Sequence, residues 1–313
     1  MFLVTGGLGF IGSHTTKALL DQGEEVVAMH HHASYVPSFL QAYLGKHLFV
    51  ERADVTKIDD LEALGAKHHV THIIHLAAPK FGALDIVEDL QANIQGYMNV
   101  IRLSRAWKVK RLVVASSIGL YGNSPNPLRE DALLPLSGAN PIAANKKIFE
   151  IMSDAVATRA DMDIVLVRPS AIWGPLGRSR SPFFSLPQMV HAAAHGAGFD
   201  GLGPIYAEDG IDMYYVKDCG KAIALLATAP QLNYRLYNIG SGRATTNSEI
   251  AASIRELEPT AQFDLQPGHR LQTSTDNPYM DITRLQEAGF QADYAGAKGI
   301  ADYLAWLRDG NEQ

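Results

Sequence analysis

Short runs of apolar, β-branched residues alternate with longer stretches of helical periodicity through the first half of the chain. Phe2–Thr5, Glu25–His30, Leu48–Glu51, His72–Leu76, Arg111–Ser116 and Ile164–Arg168 read as strands. Between them, Gly9–Gln22 reads as a helix ended by Gly23, and Val87–Ala106 and Ala143–Arg159 read as long helices. Alternating strand and helix predicts a parallel sheet covered on both faces. Right-handed crossovers then give a doubly wound α/β sheet.

After Arg168 the rhythm breaks. Residues 169–210 are rich in glycine, proline and aromatics, which predicts long loops and short helices over the strand ends, where a ligand crevice lies in such sheets. A helix (Cys219–Thr228) and a strand (Arg235–Ile239) follow, then helices at Glu249–Leu257 and Ala297–Arg308. The expected organisation is a dinucleotide-binding domain from 1–170 and 211–245, and a smaller, discontinuous α/β substrate domain from 171–210 and 246–313. Neither an internal repeat nor a low-complexity tract is present.

Composition narrows the function classes. Of 313 residues, 47% are hydrophobic and 19% charged, enough apolar surface for a sizeable core. The net charge of −6 lacks the basic balance of a nucleic-acid binder. The single cysteine, Cys219, excludes a disulfide framework and any cysteine-based metal site. There is no apolar run long enough for a membrane span, and Met1–Gly6 shows no basic segment or cleavage site. A soluble, cytoplasmic protein with no membrane or nucleic-acid partner is the expectation.

The chemistry begins at Thr5-Gly6-Gly7-Leu8-Gly9-Phe10-Ile11-Gly12, which leaves a strand and opens a helix. Gly6 permits a tight turn, Gly9 lets the backbone approach a pyrophosphate, and Gly12 allows close helix–strand packing. The helix start offers free N–H groups and partial positive charge. This is the Rossmann arrangement of a dinucleotide site.

Further segments carry a resemblance. They are Ala53-Asp54-Val55, Ile74-His75-Leu76-Ala77-Ala78, Asn93-Ile94-Gln95-Gly96, Ser116-Ser117-Ile118-Gly119-Leu120-Tyr121-Gly122, Arg168-Pro169 and Tyr237-Asn238-Ile239-Gly240-Ser241-Gly242. With the glycine motif they make the chain similar to the extended short-chain dehydrogenases/reductases of the NAD(P)-dependent epimerase/dehydratase family. The resemblance implies that Gly6, Gly9, Phe10, Ile11 and Gly12 hold the cofactor pyrophosphate, Asp54 and Val55 flank the adenine, and Leu76, Ala77 and Ala78 line the groove. It places Lys80 near ribose and phosphates. A turn or helix-cap role for Asp54 ahead of Thr56 stays open. Where NAD-preferring members end the second strand in an acid, this chain has His30, followed by His31 and His32. A histidine can donate to a 2′-phosphate, so the expectation leans from NAD towards NADP. Alternation of strand faces argues against a metal site in the three histidines, and none is expected elsewhere.

The catalytic residues implied by the resemblance are a serine after the fifth strand and a tyrosine–lysine pair, four apart, on the next helix. The serine is Ser117 and the lysine is Lys146, which also holds the nicotinamide ribose. The tyrosine position is Ile142, which can neither give nor take a proton. Tyr121 is the nearest substitute in sequence, with Tyr214, Tyr215, Asp212 or a water held by Ser117 as further alternatives.

The substrate side departs too. Ile211 and Gln266 stand where sugar-nucleotide members carry diphosphate-gripping arginines. Arg178, Arg180, Arg243 and Arg270 are possible replacements. Trp173, Phe183 and Tyr214 are the expected substrate contacts, in a segment with Phe184, Tyr206, Met213 and Tyr215; packing of the second domain's core is the competing role. The expectation is an NAD(P)-dependent oxidoreductase or epimerase/dehydratase-like enzyme acting on a small or apolar carbonyl or alcohol, with a non-standard proton donor. A non-redox lyase, hydratase or isomerase, a non-catalytic cofactor sensor, and a nucleotide-sugar epimerase remain alternatives. The resemblance assigns the apolar faces of the two long helices to a homodimer contact.

Overall fold

The computed structural model describes residues 1–79, 82–137, 140–196, 203–270 and 277–311. Its strands are β1 (Phe2–Thr5), β2 (Val26–His30), β3 (Leu48–Arg52), β4 (His72–His75), β5 (Arg111–Ala115), β6 (Ile164–Pro169), β7 (Ala171–Trp173), β8 (Ile205–Tyr206), β9 (Gly210–Tyr215), β10 (Leu236–Ile239), β11 (Ala244–Thr246) and β12 (Leu265–Gln266). Its helices are α1 (Phe10–Asp21), α2 (Ser38–Gln41), α3 (Ile58–Lys67), α4 (Ile86–Ala106), α5 (Pro141–Ala160), α6 (Leu186–His195), α7 (Val216–Thr228), α8 (Asn247–Leu257), α9 (Thr283–Glu287) and α10 (Ala297–Arg308).

Seven strands form one parallel sheet in the order β10-β6-β5-β4-β1-β2-β3. Residues alternate between its two faces, and both are apolar. Val4, Ala28, Ile74 and Val113 join the core under α1 and α7. Leu3, Val27, Ile73 and Leu112 join the core under α3, α4 and α5. A sheet buried on both sides reads in sequence as unbroken apolar runs, which is why these strands were legible. The strand order reverses between β1 and β4, so the carboxyl ends of those strands open a crevice.

A second core forms around α6, α8 and α10, with Trp173, Met213 and Tyr215 reaching into it from β7 and β9. In the small sheet β11-β9-β7, β9 pairs antiparallel with β11 and parallel with β7. No helix among the described residues is long and apolar enough to cross a membrane.

Candidate active site

The turn after β1 is built by close approaches that exclude side chains. Gly6 has φ +70°, and a Cβ there would lie 3.1 Å from the Ala77 nitrogen. A Cβ on Gly12 would come within 2.0 Å of the Gly6 carbonyl oxygen, so α1 can sit this close to the turn only with glycine at that position. The Thr5 hydroxyl accepts N–H bonds from Leu76 and Ala77, each 3.2 Å, and lies 2.8 Å from His75 Nδ1. These contacts clasp the ends of β1 and β4 at the strand-order reversal. Gly9 is the N-cap of α1, with no side-chain cap and no acidic residue in the first turn. The first-turn N–H groups and the positive end of the helix dipole are left for an anion. A cofactor pyrophosphate fits this cradle.

Asp54 makes the local turn left open for it. Its Oδ1 accepts from the Thr56 N–H (2.9 Å) and hydroxyl (2.8 Å), a local turn, while Oδ2 lies 3.8 Å from His31 Nε2. Val55 packs against Gly96, and its carbonyl accepts from Asn99. His30 pairs with Arg52 of β3 in register, and its Nδ1 is buried with no partner among the described residues. Burial, then Arg52 and His31, hold its pKa below the usual histidine value. The His31 and His32 rings lie tilted against each other, centroids 3.7 Å apart. The described residues contain no group of three or more side chains able to hold a metal. Lys80 lies outside the described residues.

Asn140 starts α5. Its side chain accepts from the Ala143 N–H at 2.9 Å, and Pro141 occupies the first turn. That start places Ile142 and Lys146 four residues apart on one face of the helix. Ser117 caps the single 3₁₀ turn Ile118–Leu120, its oxygen accepting from Gly119 at 3.0 Å. Lys146 is half-buried, with its nitrogen 4.8 Å from the centre of the Phe149 ring. Asp89, whose charge acts on Lys146, is engaged by the amides of Asn145 (2.6 Å) and Asn93 (3.1 Å). Burial lowers the Lys146 pKa to about 8, with Asp89 opposing the effect.

Tyr121 is not the missing acid. It is fully buried; its hydroxyl donates to Asn238 (2.8 Å) and accepts from Arg168 (2.7 Å), whose guanidinium also stacks on the ring. Burial raises its pKa, which further disfavours proton release. Two of the lesser candidates, Asp212 and Tyr215, are likewise engaged. Asp212 is enclosed by donors from Ser241, Gly242 and Met280. The Tyr215 hydroxyl donates to Asp302. The Tyr97 hydroxyl is bonded to Ser153 in the core. No tyrosine hydroxyl among the described residues is hydrogen-bonded to Lys146.

Sequence reasoning missed a buried polar chain beneath Ser117. Ser116 donates to Glu150 (2.6 Å), Arg168 grips Glu150 through two bonds (2.7 and 2.8 Å), and Arg168 reaches Tyr121 and thence Asn238. Its available signal was Glu150, four residues after Lys146 on α5.

Trp173 (6% exposed) packs edge-on against Tyr215, Tyr214 (5%) belongs to the core beneath α1 and α7, and both also reach the wall of a cavity. Phe183 is 58% exposed on the segment between β7 and α6. Arg178 and Arg180 are exposed on the same segment, which meets the glycine turn where Gly177 abuts the Phe10 ring. Arg243 is paired with Glu249, and the Arg270 N–H donates to Asp209. Ile211 lies half-buried on β9 and Gln266 exposed on β12. A cavity of about 690 Å³, lined by Met213, Tyr214, Arg243, Ile282 and Phe290 among others, shares no residue with the glycine turn, Ser117 or Lys146.

Comparison with known proteins agrees with this geometry. The sequence pattern of the NAD dependent epimerase/dehydratase family matches residues 2–240. A probable UDP-glucuronate 4-epimerase of Rhizobium meliloti is 30% identical, covering 97% of this chain and 96% of that protein. The UDP-glucose 4-epimerase of Mus musculus is 28% identical, covering 97% and 91%. Among solved structures, UDP-glucose 4-epimerase of Thermus thermophilus in complex with NAD superposes with a TM-score of 0.80 at 25% identity, over 98% of each chain. The open glycine cradle, with Ser117 and Lys146 beyond it, and the match along nearly the whole sheet make this chain a member of the NAD dependent epimerase/dehydratase family.

Proposed function

We propose that the protein is a nicotinamide-dependent enzyme of epimerase/dehydratase type acting at a hydroxyl-bearing carbon of a nucleotide sugar. The observation that carries the reading is the side-chain-free cradle of Gly6, Gly9 and Gly12 under an uncapped helix start, at the sheet's switch point. The expectation of a small apolar substrate, drawn from the aromatics and from the missing arginines, is given up. Full-length relatives named for UDP-sugars support the replacement. With Ile211 and Gln266 unable to grip a diphosphate, Arg178 and Arg180 are the proposed grips.

The bound nicotinamide supplies hydride exchange. The chain's own residues bind and orient. Gly6–Gly12 take the pyrophosphate, Asp54 and Val55 the adenine, and Leu76 to Ala78 the groove wall. Lys146 would hold the nicotinamide ribose, and Ser117 would donate to the reacting oxygen. His30 and Arg52 carry no negative charge that would repel a 2′-phosphate, so NADP is expected to bind at least as tightly as NAD.

Calorimetry with NAD and NADP, followed by thermal shift and NMR with UDP-glucose and UDP-glucuronate, tests the proposal. Affinity for a dinucleotide and turnover of a UDP-sugar are expected; affinity for neither dinucleotide would sink it. Ile142 favours one second reading, a cofactor-bound protein that transfers no hydride. Tight dinucleotide binding with no hydride exchange on any sugar nucleotide would favour that reading instead.

A further inference from the structure

Ser117 lies just past the end of the sheet. Its neighbour Ser116 is still held there, donating its N–H to Val167 of β6 at 2.6 Å. Beyond it the chain turns away through Ile118–Leu120. Within that turn the Leu120 N–H donates to the Ser117 carbonyl (3.3 Å) and the Tyr121 N–H to that of Ile118 (3.1 Å). These bonds shape the turn without fixing it against α5, which carries Lys146.

The fixing comes from Glu150 and Arg168. Glu150 follows Lys146 by four residues, so the two share a face of α5. Its Oε1 accepts from the Ser116 hydroxyl (2.6 Å) and from Arg168 Nε (2.8 Å), and its Oε2 from Arg168 Nη2 (2.7 Å). The third guanidinium nitrogen, Nη1, donates to the Tyr121 hydroxyl at 2.7 Å. Tyr121 in turn donates to Asn238 (2.8 Å), whose amide is bound to the Leu128 and Asp281 carbonyls. Ser116 and Tyr121 therefore bracket Ser117, one residue before it and four after, and a single ion pair holds both. A guanidinium is planar with its donors at fixed angles, so the two tethers do not move independently. Arg168 and Tyr121 are almost wholly buried, where charge-assisted bonds are strong.

We propose that the Glu150–Arg168 pair positions the serine turn against α5 and so sets where Ser117 stands relative to Lys146. The inference rests on the nicotinamide-dependent reading above, in which those two side chains meet the reacting oxygen and the nicotinamide ribose. Glu150 and Arg168 are positioning residues: their polar atoms engage each other, Ser116 and Tyr121, and they act through the turn. Such control matters because a misplacement of about 1 Å costs on the order of 10²-fold in rate.

Ser116→Ala frees one end of the turn and leaves the ion pair whole; Ser116→Thr keeps the hydroxyl. Amide hydrogen exchange on the unliganded protein is the first readout. Gly119, Leu120 and Tyr121 should exchange about tenfold faster in Ser116→Ala, the worth of one charge-assisted bond, and near the wild-type rate in Ser116→Thr. The Tyr97 amide, within α4, should keep its protection in both. Single-turnover hydride transfer from UDP-glucose or UDP-glucuronate to NAD or NADP is the second. It should fall by about 10- to 10²-fold in Ser116→Ala, with dinucleotide affinity within about threefold of wild type, and recover in Ser116→Thr. Tyr121→Phe cuts the other tether and should move both readouts the same way. A merely structural serine would lower the unfolding midpoint and leave both readouts unchanged. Unaltered exchange in the turn of both tether variants overturns the proposal, and so does undiminished transfer by both. If wild type transfers no hydride from either sugar nucleotide, the functional reading has failed, and exchange alone decides whether the pair holds the turn. If wild type is active and the tether variants match it, only this inference has failed.

Discussion

Ile142 and Gly12 show how much single positions decide. Replacing Ile142 with tyrosine puts a phenol one helical turn from Lys146, on the same face. We expect turnover to rise by about tenfold or more, within the 10²–10⁴-fold range of a positioned acid. Nicotinamide absorbance would follow it, and an unchanged rate would show that the phenol does not reach the reacting oxygen. Gly12→Ala has no room at all, since its Cβ would overlap the Gly6 carbonyl. It should abolish dinucleotide binding by calorimetry and lower stability by about 2 kcal/mol in urea unfolding. The glycine turn was legible because all its constraints lie within eight residues. The role of Tyr121 was not, because the groups that engage it, Arg168 and Asn238, arrive from β6 and β10. Trp173 and Tyr214 show the same limit: an aromatic suits a pocket wall and a core equally, and both residues pack in a core while lining a cavity.

Among the elements, α5 carries both Ile142 and Lys146, and two features hold it. Asn140 caps its start, so Asn140→Ala should cost about 1 kcal/mol and loosen Ile142 and Lys146 together. Glu150 ties its middle to β6 through Arg168, both side chains being largely buried. Glu150→Ala strands the guanidinium and should cost about 3–5 kcal/mol, measured by urea unfolding. A loss as small as that of the cap variant would mean that water replaces the carboxylate. Long helices and fully buried strands were readable from periodicity, with ends displaced by only a few residues. The short strands β7 and β11 were not, because three residues carry no period and their pairing partner, β9, comes from elsewhere in the chain.

Over the whole molecule, acid should be the weak direction. Burial lowers His75 to about 3 and His14 to about 4, against an ordinary histidine value near 6.5. Between those limits the unfolded chain binds protons that the folded one refuses, so stability is present above pH 6.5 and is lost as pH falls towards 4. The expected slope is on the order of 1 kcal/mol per histidine per pH unit. A Tm that stays flat from pH 7 to pH 5 would contradict it. Val87 and Met98 on α4 and Ile151 on α5 are exposed apolar residues, and the homodimer proposed for those helices should appear in sedimentation.

The small sheet β11-β9-β7 has a consequence for how the protein can be divided. Its three strands come from residues 171–173, 210–215 and 244–246, each leading into a different stretch of polypeptide. The lobe around α6, α8 and α10 is therefore stitched through at three places, and no single cut liberates it intact. Expressed alone, residues 246–313 would lack both the strand partners and the Trp173 and Tyr215 side chains that fill their interior, and would be recovered as an unfolded fragment.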